Sequence, residues 1–321
     1  MRRVGRLVLP ALLLCLSLNC SRDESATRTP PGARPEEIDL PGAVVFVGAG
    51  DIAVCGTNGD ERTARIVDSV LTVAAAKKAE AAVFTLGDNA YPSGPGGVDE
   101  DFPRCFNPSW GSPRIMKLIH PAPGNHDYDS GSGAPYFAYF GDRAGPPGKG
   151  YYSYDVGRWH AISLNSELLF GRSNPSEAAA QEDWLRKDLA AHRALCTLAY
   201  FHRPLFTSGV GSPTQQVRGL WQILSDGGAD LILNGHHHHY ERFLPQTPSG
   251  VADVRNGIEE IIAGTGGGEL RGVQSPLAYN SVTEIHGHFG VLKLMLGAGE
   301  YSHAFIDTEG RVWDPARGKC H

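Results

Sequence analysis

The 321-residue chain contains no CxxC pair, which argues against a structural zinc site built on paired thiolates. It has no excess of positive charge either. Twenty-nine Lys and Arg stand against 35 Asp and Glu, a net charge of −6, so a nucleic-acid duplex would be repelled overall and is not an expected partner. There is no internal repeat, and the apolar run Leu7–Leu18 is too short for a good membrane-spanning helix. No histidine precedes His120 although the chain has 13, and four stand together at His236–His239. That clustering calls for a chemical explanation.

What is present describes an ordinary globular chain with enough apolar side chains for a sizeable core: 41% hydrophobic, 20% charged and 9% aromatic residues. Forty glycines and 22 prolines make it rich in loops. A large α/β enzyme of roughly 250–300 residues can be one domain, and one domain is the expectation. Arg2, Arg3 and Arg6 before Leu7–Leu18 read as an export signal over residues 1–19. Cys20 follows directly, as in the lipobox of bacterial lipoproteins, although Asn19 replaces the usual small residue. Lipidation at Cys20 would anchor the protein to the cell envelope, and the lipid would be its only contact with the membrane; ordinary cleavage nearby would leave it secreted. Residues 20–37 are polar and proline-rich, a disordered tether. Residues 38–321 form the expected catalytic domain, with 23 basic and 31 acidic residues for a net charge of −8.

Cys15 belongs to the apolar segment and Cys20 to the processing site, leaving Cys55, Cys105, Cys196 and Cys320. Four cysteines in an exported domain suggest two disulfides, each contributing ~2–4 kcal/mol. Three pairings are open. Cys55 with Cys105 and Cys196 with Cys320 is the favoured one, and buried free thiols are the alternative.

Short β-branched runs at Val44–Val47, Ala82–Leu86, Thr197–Phe201 and Asp230–Leu233 predict buried strands, each ending in polar residues. Between them, helical periodicity covers Arg62–Lys78, Glu177–His192 with Ser176 as N-cap, and Gln215–Ser225. Hairpins are expected over Tyr151–Asp155 with Trp159–Asn165, and over Gly290–Leu296 with Tyr301–Asp307. The alternation predicts an α/β core with mixed sheets, whose ligands gather outside the carboxyl ends of the strands. Asp51, Asp88 with Tyr91, Asn125 with His126, His202, and His236 with His238 occupy those ends. Carboxylates, imidazoles, an amide oxygen and a phenol suit Fe, Mn or Zn rather than calcium. They are too many for one ion and enough for two that share a carboxylate, ~3.5–4 Å apart.

The blocks Gly50-Asp51, Gly87-Asp88-Asn89-Ala90-Tyr91, Gly124-Asn125-His126-Asp127, Phe201-His202 and Gly235-His236-His237-His238-His239-Tyr240-Glu241-Arg242 resemble those of the purple acid phosphatases, within the calcineurin-like metallophosphoesterases. All five occur in family order, and the tyrosine three residues after Asp88 is the discriminating detail. The resemblance implies a four-layer sandwich of two mixed β-sheets flanked by helices. It implies that Asp51, Tyr91 and His238 bind Fe(III), that Asn125, His202 and His236 bind a divalent ion (Fe, Zn or Mn), and that Asp88 bridges them. Hydrolysis of small phosphate monoesters by a metal-bound hydroxide follows, with His126 donating a proton to the leaving group or holding the phosphoryl oxygens. A phosphodiesterase or nucleotidase on the same centre is the alternative, as is a non-catalytic surface lipoprotein that binds metal or phosphate.

The sequence departs from the family in places. His237 and His239 stand where acidic residues are common, and Arg203 follows His202 where a second histidine is expected. Arg203 would either clamp phosphate bidentately or point from the rim into water. Gly48-x-Gly50-x-x-Ala53 imitates the start of a dinucleotide fingerprint, but no helix can follow at once through Cys55–Gly59. Gly264–Gly268 would cradle phosphate or, more simply, form a flexible loop after Ile258–Ala263.

Overall fold

The computed structural model describes residues 36–92, 101–171, 175–192, 194–211 and 213–321. The expected export signal, Cys20 and most of the expected tether lie outside these residues. The strands are β1 (Val44–Ala49), β2 (Ala81–Leu86), β3 (Ile119–Ala122), β4 (Tyr152–Val156), β5 (Trp159–Ser163), β6 (Cys196–Tyr200), β7 (Leu231–Asn234), β8 (Tyr240–Phe243), β9 (Glu259–Ala263), β10 (Ser281–Ile285), β11 (Gly290–Leu296), β12 (Glu300–Asp307) and β13 (Val312–Lys319). They form two sheets, ordered β13-β12-β11-β1-β2-β3 and β10-β8-β9-β7-β6-β5-β4. Both sheets are mixed. β1, β2 and β3 run parallel, as do β5, β6, β7 and β9; antiparallel strands complete both edges of the second sheet and the β13 side of the first, whose other edge is the parallel β3.

Alternation along the strands explains the layering. Val44 and Phe46 of β1, Phe84 and Leu86 of β2, Leu198 and Tyr200 of β6, and Leu231 and Leu233 of β7 point into one core between the sheets. The intervening Val47, Val83, Ala199 and Ile232 point outwards, against helices. Val67 and Leu71 of α1 (Gly59–Ala76) and Ile115 of α2 (Pro113–Leu118) cover the first sheet, together with Tyr136 and Phe140 of α3 (Ala134–Phe140). Leu185 of α4 (Pro175–Ala191) and Leu220, Trp221 and Leu224 of α5 (Arg218–Asp226) cover the second. The result is helices, sheet, sheet, helices.

Some expected boundaries shift for local reasons. α4 begins at Pro175, whose fixed φ suits the first helical position, so Ser176 lies inside the first turn instead of capping it. Gln215–Val217 is a separate tight turn before α5. β3 escapes a propensity reading because His120 and Pro121 occupy half of it; proline is tolerated there because β3 is an edge strand. Cys55 is bonded to Cys105 and Cys196 to Cys320, the second bridge joining β6 to the segment that follows β13.

His120 lies across the gap between two edge strands, its ring stacked on Tyr154 of β4 at 3.8 Å between centroids and 9° between planes. Burial pushes its pKa down to about 4. The unfolded chain therefore takes up this proton first as pH falls, and stability present above pH ~6.5 is lost on acidification towards pH 4, on the order of 3 kcal/mol at the limit. Urea unfolding at pH 7, 5.5 and 4.5 is expected to show this loss, and His120→Phe to flatten it. An unchanged pH profile in the variant would place the acid sensitivity elsewhere.

Candidate metal centre

Most of the expected site residues follow a parallel strand by two to four positions: Asp51 after β1, Asp88 after β2, Asn125 and His126 after β3, His202 after β6 and His236 after β7. Parallel strands end on one rim, so five short blocks scattered over 190 residues of chain converge there. His238 arrives just before β8, and Tyr91 follows an isolated bridge between Ala53 and Ala90. Asp51, Asp88, Tyr91 and Asn125 come from the first sheet, and His202, His236 and His238 from the second.

The donor atoms fall into two clusters. In one, the Tyr91 hydroxyl lies 2.9 Å from Asp51 Oδ1 and 3.1 Å from His238 Nε2, which is itself 3.1 Å from Asp51 Oδ1. In the other, His202 Nε2 lies 3.2 Å from Asp88 Oδ2, 3.1 Å from Asn125 Oδ1 and 3.2 Å from His236 Nδ1. A coordination shell with bonds of ~2.1 Å has edges of ~3.0–3.4 Å between neighbouring ligands, so these separations match two metal shells. The far nitrogens fit as well. His202 Nδ1 donates to the Leu86 carbonyl at 2.8 Å and His238 Nδ1 to the Glu269 carbonyl, fixing each ring with Nε2 towards its cluster, as metal-binding histidines are usually fixed.

Both carboxylates are almost wholly buried, and their charge dominates the site. Burial alone would raise the pKa of Asp88, yet His202 and His126 hold it well below the usual carboxylate range. Asp51 is likewise lowered, against its burial, by His238 and His202. His202, which burial would deprotonate, is instead raised to about 9 by Asp88. His236 is pushed down to about 2 by burial and by the neighbouring His202 and Arg203. The Tyr91 phenol is raised far above its usual value by burial and by Asp51 and Asp88. Protons on Tyr91, His202 and His238 thus occupy the places that cations would take, and metal uptake must release them.

The backbone at the rim is strained where the ligands sit. Asp51, Asp88 and His236 all adopt positive φ, at 58°, 49° and 69°, a conformation costly for residues with a side chain and concentrated at functional sites. Glycine makes room for the carboxylates. A Cβ on Gly124 would stand 2.2 Å from the Asp88 nitrogen and 2.3 Å from Asp88 Oδ1.

Three carboxylates missing from the sequence reading support the site. Asp127, fully buried, accepts from Gly124 N at 2.8 Å, Asn89 N at 3.1 Å and Asn89 Nδ2 at 2.9 Å, bolting the loops after β2 and β3 together. Its pKa rises to about 7 through burial and the nearby Asp88. Asp129 Oδ2 lies 2.7 Å from His126 Nδ1, leaving His126 Nε2 on the side of Asp88 at 4.0 Å. Glu167, on the turn after β5, receives Arg203 Nε at 2.7 Å and Nη2 at 3.1 Å. Asp127 closes the Gly124–Asp127 block and Asp129 stands two residues beyond it, so adjacency was a usable signal; nothing in the sequence marks Glu167.

Arg203 does not stand free in water at the rim. Its Nε and Nη2 grip Glu167, which leaves the Nη1 end of the guanidinium facing the cluster, and the guanidinium packs over the Phe170 ring at 4.3 Å. His239 turns to Glu241, 3.0 Å away. Gly264–Gly268 is neither a phosphate cradle nor a flexible surface loop. It is buried and strapped beneath the centre, with Gly266 N donating to the Gly50 carbonyl and Gly268 N to that of Asp51.

Residues 44–240 match the family model described as calcineurin-like phosphoesterase. Purple acid phosphatase 15 of Arabidopsis thaliana is 30% identical over 112 residues, covering 33% of this chain and 20% of that protein. Acid phosphatase type 7 of Homo sapiens is 29% identical over 196 residues, covering 51% of this chain and 41% of that protein. The chain thus spans less than half the length of these curated relatives. The solved purple acid phosphatase PPD1 from yellow lupin (Lupinus luteus) seeds shares the fold, with a TM-score of 0.66 at 18% identity over 89% of this chain and 55% of that one.

Gly124→Ala tests the close approach directly. The added methyl must displace Asp88, so the variant is expected to fold with an unchanged circular dichroism spectrum but to bind less than half the metal of the parent. Full metal content in the variant would show that Asp88 is not the shared ligand.

Proposed function

Because the chain belongs to the calcineurin-like phosphoesterase family, we propose that it is a metal-dependent hydrolase of phosphate monoesters of the purple acid phosphatase type. The observation that carries this reading is the pair of adjacent donor clusters at one rim, Asp51 with Tyr91 and His238 in one and the buried Asp88 with Asn125, His202 and His236 in the other. We assign Asp51, Tyr91 and His238 to Fe(III), since a phenolate and a carboxylate favour a hard trivalent ion. Asn125, His202 and His236, neutral ligands apart from the shared Asp88, suit a divalent Fe, Zn or Mn. When bound, the ions activate water and neutralise the charge on the phosphoryl oxygens of an in-line displacement.

The chain's own groups do the rest. Asp129 orients His126 so that Nε2 faces the centre from its open side, where it can donate a proton to the leaving alkoxide. The tilted Tyr91 ring, with its centroid 4.6 Å from that of the imidazole, limits the swing of His126. Asp88 Oδ1 accepts from the His126 backbone nitrogen at 2.8 Å, tying the proton donor to the bridging carboxylate. We also propose an exported protein anchored through Cys20, a reading supported by two disulfides, which persist in oxidising compartments. Among the described residues no helix is long and apolar enough to cross a membrane.

Two measurements test the reading. Iron-loaded protein is expected to carry two metals per chain and to absorb in the visible through a Tyr91-to-Fe(III) transition that Tyr91→Phe bleaches; a colourless, iron-free but fully active protein would refute the iron assignment alone. His126→Ala is expected to keep both metals and lose ~10²- to 10⁴-fold in turnover of an alkyl phosphate, with a smaller loss on p-nitrophenyl phosphate, whose leaving group needs no proton. Equal losses on both esters would make His126 a phosphate-holding residue. Turnover of bis(p-nitrophenyl) phosphate in preference to the monoester would favour a phosphodiesterase.

A further inference from the structure

Helix α1 carries two apolar stripes, although one is enough to hold it on its sheet. Ala64, Val67, Leu71 and Ala74 face inwards and are buried. Ile66, Val70 and Val73 repeat at i, i+4 and i+7 as a second stripe about 100° further round the helix. They are only partly covered, and Val73 is 52% exposed. A surface helix ordinarily places polar residues at such positions. α1 packs over β1 and β11, and beyond it the first sheet continues into β12. Ile306 of β12 joins the second stripe in lining an open groove of about 480 Å³, a size typical of small-molecule sites.

The groove is also charged at its margin. Arg62 and Arg65 border it, and neither has a carboxylate partner among the described residues. Lys293, the third cation there, is taken by Glu37. The chain enters the fold beside the groove: after Glu37, the Ile38 carbonyl accepts from Ser302 Oγ at 2.6 Å, and Asp39 Oδ2 meets Lys77 Nζ at 3.2 Å. Cys20 stands 17 residues before Glu37, so a lipid on Cys20 would keep the groove within ~60 Å of the bilayer even at full extension.

These features call for an occupant with an apolar body and an anionic head. Residues 21–35 offer nothing more apolar than alanine and proline, and Arg22, Arg28 and Arg34 outnumber Asp23 and Glu24. Leu7–Leu18 is apolar but follows Arg2, Arg3 and Arg6, which Arg62 and Arg65 would repel. We propose that the groove takes an anionic phospholipid from the membrane surface, its phosphate on Arg62 and Arg65 and the first methylenes of an acyl chain along Ile66, Val70, Val73 and Ile306. Guanidinium forks match phosphate oxygens, and the helix from Arg62 to Val73 supplies ~16 Å of length. With a net charge of −8 over residues 38–321, the domain as a whole is repelled by an anionic surface, so the two unpaired arginines set which side approaches. This inference rests on the exported, anchored reading for its nearness to a membrane and is independent of the phosphatase chemistry.

The test uses the full-length chain carrying Cys20→Ala, which cannot be acylated, sedimented with vesicles of phosphatidylcholine alone or with about one-third phosphatidylglycerol. Binding to the anionic vesicles is expected to be about tenfold tighter or more, and Arg62→Ser/Arg65→Ser to bring the ratio to within about twofold of unity. Both chains share one N-terminus, whose own membrane affinity cancels in the comparison. Val73→Asp, which sets a carboxylate on the exposed end of the stripe, is expected to lower the ratio too. Arg186→Ser/Lys187→Ser removes the same charge from α4 and is expected to leave the ratio unchanged.

A ratio near one in the parent chain overturns the inference, as does a ratio that survives Arg62→Ser/Arg65→Ser or falls equally in the α4 variant. A dimer that forms without vesicles and is lost in Arg62→Ser/Arg65→Ser would assign the groove to a second copy of the chain instead. Native protein without a lipid on Cys20 would remove the anchor, and the vesicle ratio would still decide whether the groove binds phospholipid.

Discussion

Two carboxylates, Asp51 and Asp88, are buried at one rim of the molecule, and most of what surrounds them answers that fact. A charged group removed from water is tolerated only when hydrogen-bonded and balanced by opposite charge. Asp51 is hydrogen-bonded by the backbone nitrogen of His236 and the Tyr91 hydroxyl, and Asp88 by the backbone nitrogen of His126. The remaining imbalance draws positive charge, supplied by protons on His202 and His238 or, in their place, by metal ions. Left-handed backbone at three ligand positions and the absent side chain at Gly124 are local costs of crowding so many donors together. A sandwich with rigid strand ends can sustain them.

Much of this was legible in the sequence, because strand, turn and ligand recur as one compact unit. Val44–Val47 before Asp51 and Asp230–Leu233 before His236 are apolar runs followed by glycine and a carboxylate or an imidazole, and the strands there are buried along their whole length, as expected. β3 was not legible. Its His120 and Pro121 belong to an edge strand that does not need the proline's missing hydrogen bond, and edge strands carry a weaker pattern. β10 and β13, both edge strands and partly exposed along much of their length, were hidden for the same reason, whereas β8 is a buried interior strand of four residues of which two are charged.

The side chains that carry ligands announced themselves, whereas those that hold ligands in place did not. Asp127 looks like one more residue of the Gly124–Asp127 block, yet it turns to Gly124 and Asn89 and joins two loops. Glu167 lies 36 residues from Arg203 and has no motif around it. Its effect on Arg203 is visible only once the turn after β5 is seen beside the loop after β6. Glycine misled in the opposite direction. Gly264–Gly268 reads as flexible because glycine frees an unfolded backbone, but here the missing side chains allow close packing against Asp51, since a Cβ on Gly264 would stand 2.3 Å from the His237 carbonyl oxygen and 2.7 Å from Asp51 Oδ2.

The division of the ligands between the sheets has a mechanical consequence. Apolar side chains resist separation of the two layers throughout the interior, but at the rim only polar groups meet, and without cations they meet through protons that exchange with solvent. An ion bound by His202 and Asn125, or by His238 and Asp51, is a tie across the sandwich. Because ions that bind only the folded chain stabilise it by mass action, about 2.7 kcal/mol at a hundred times the dissociation constant, heat resistance would depend on the free metal concentration as well as on the core. The site would then serve as the clasp that keeps the two sheets shut at their working edge.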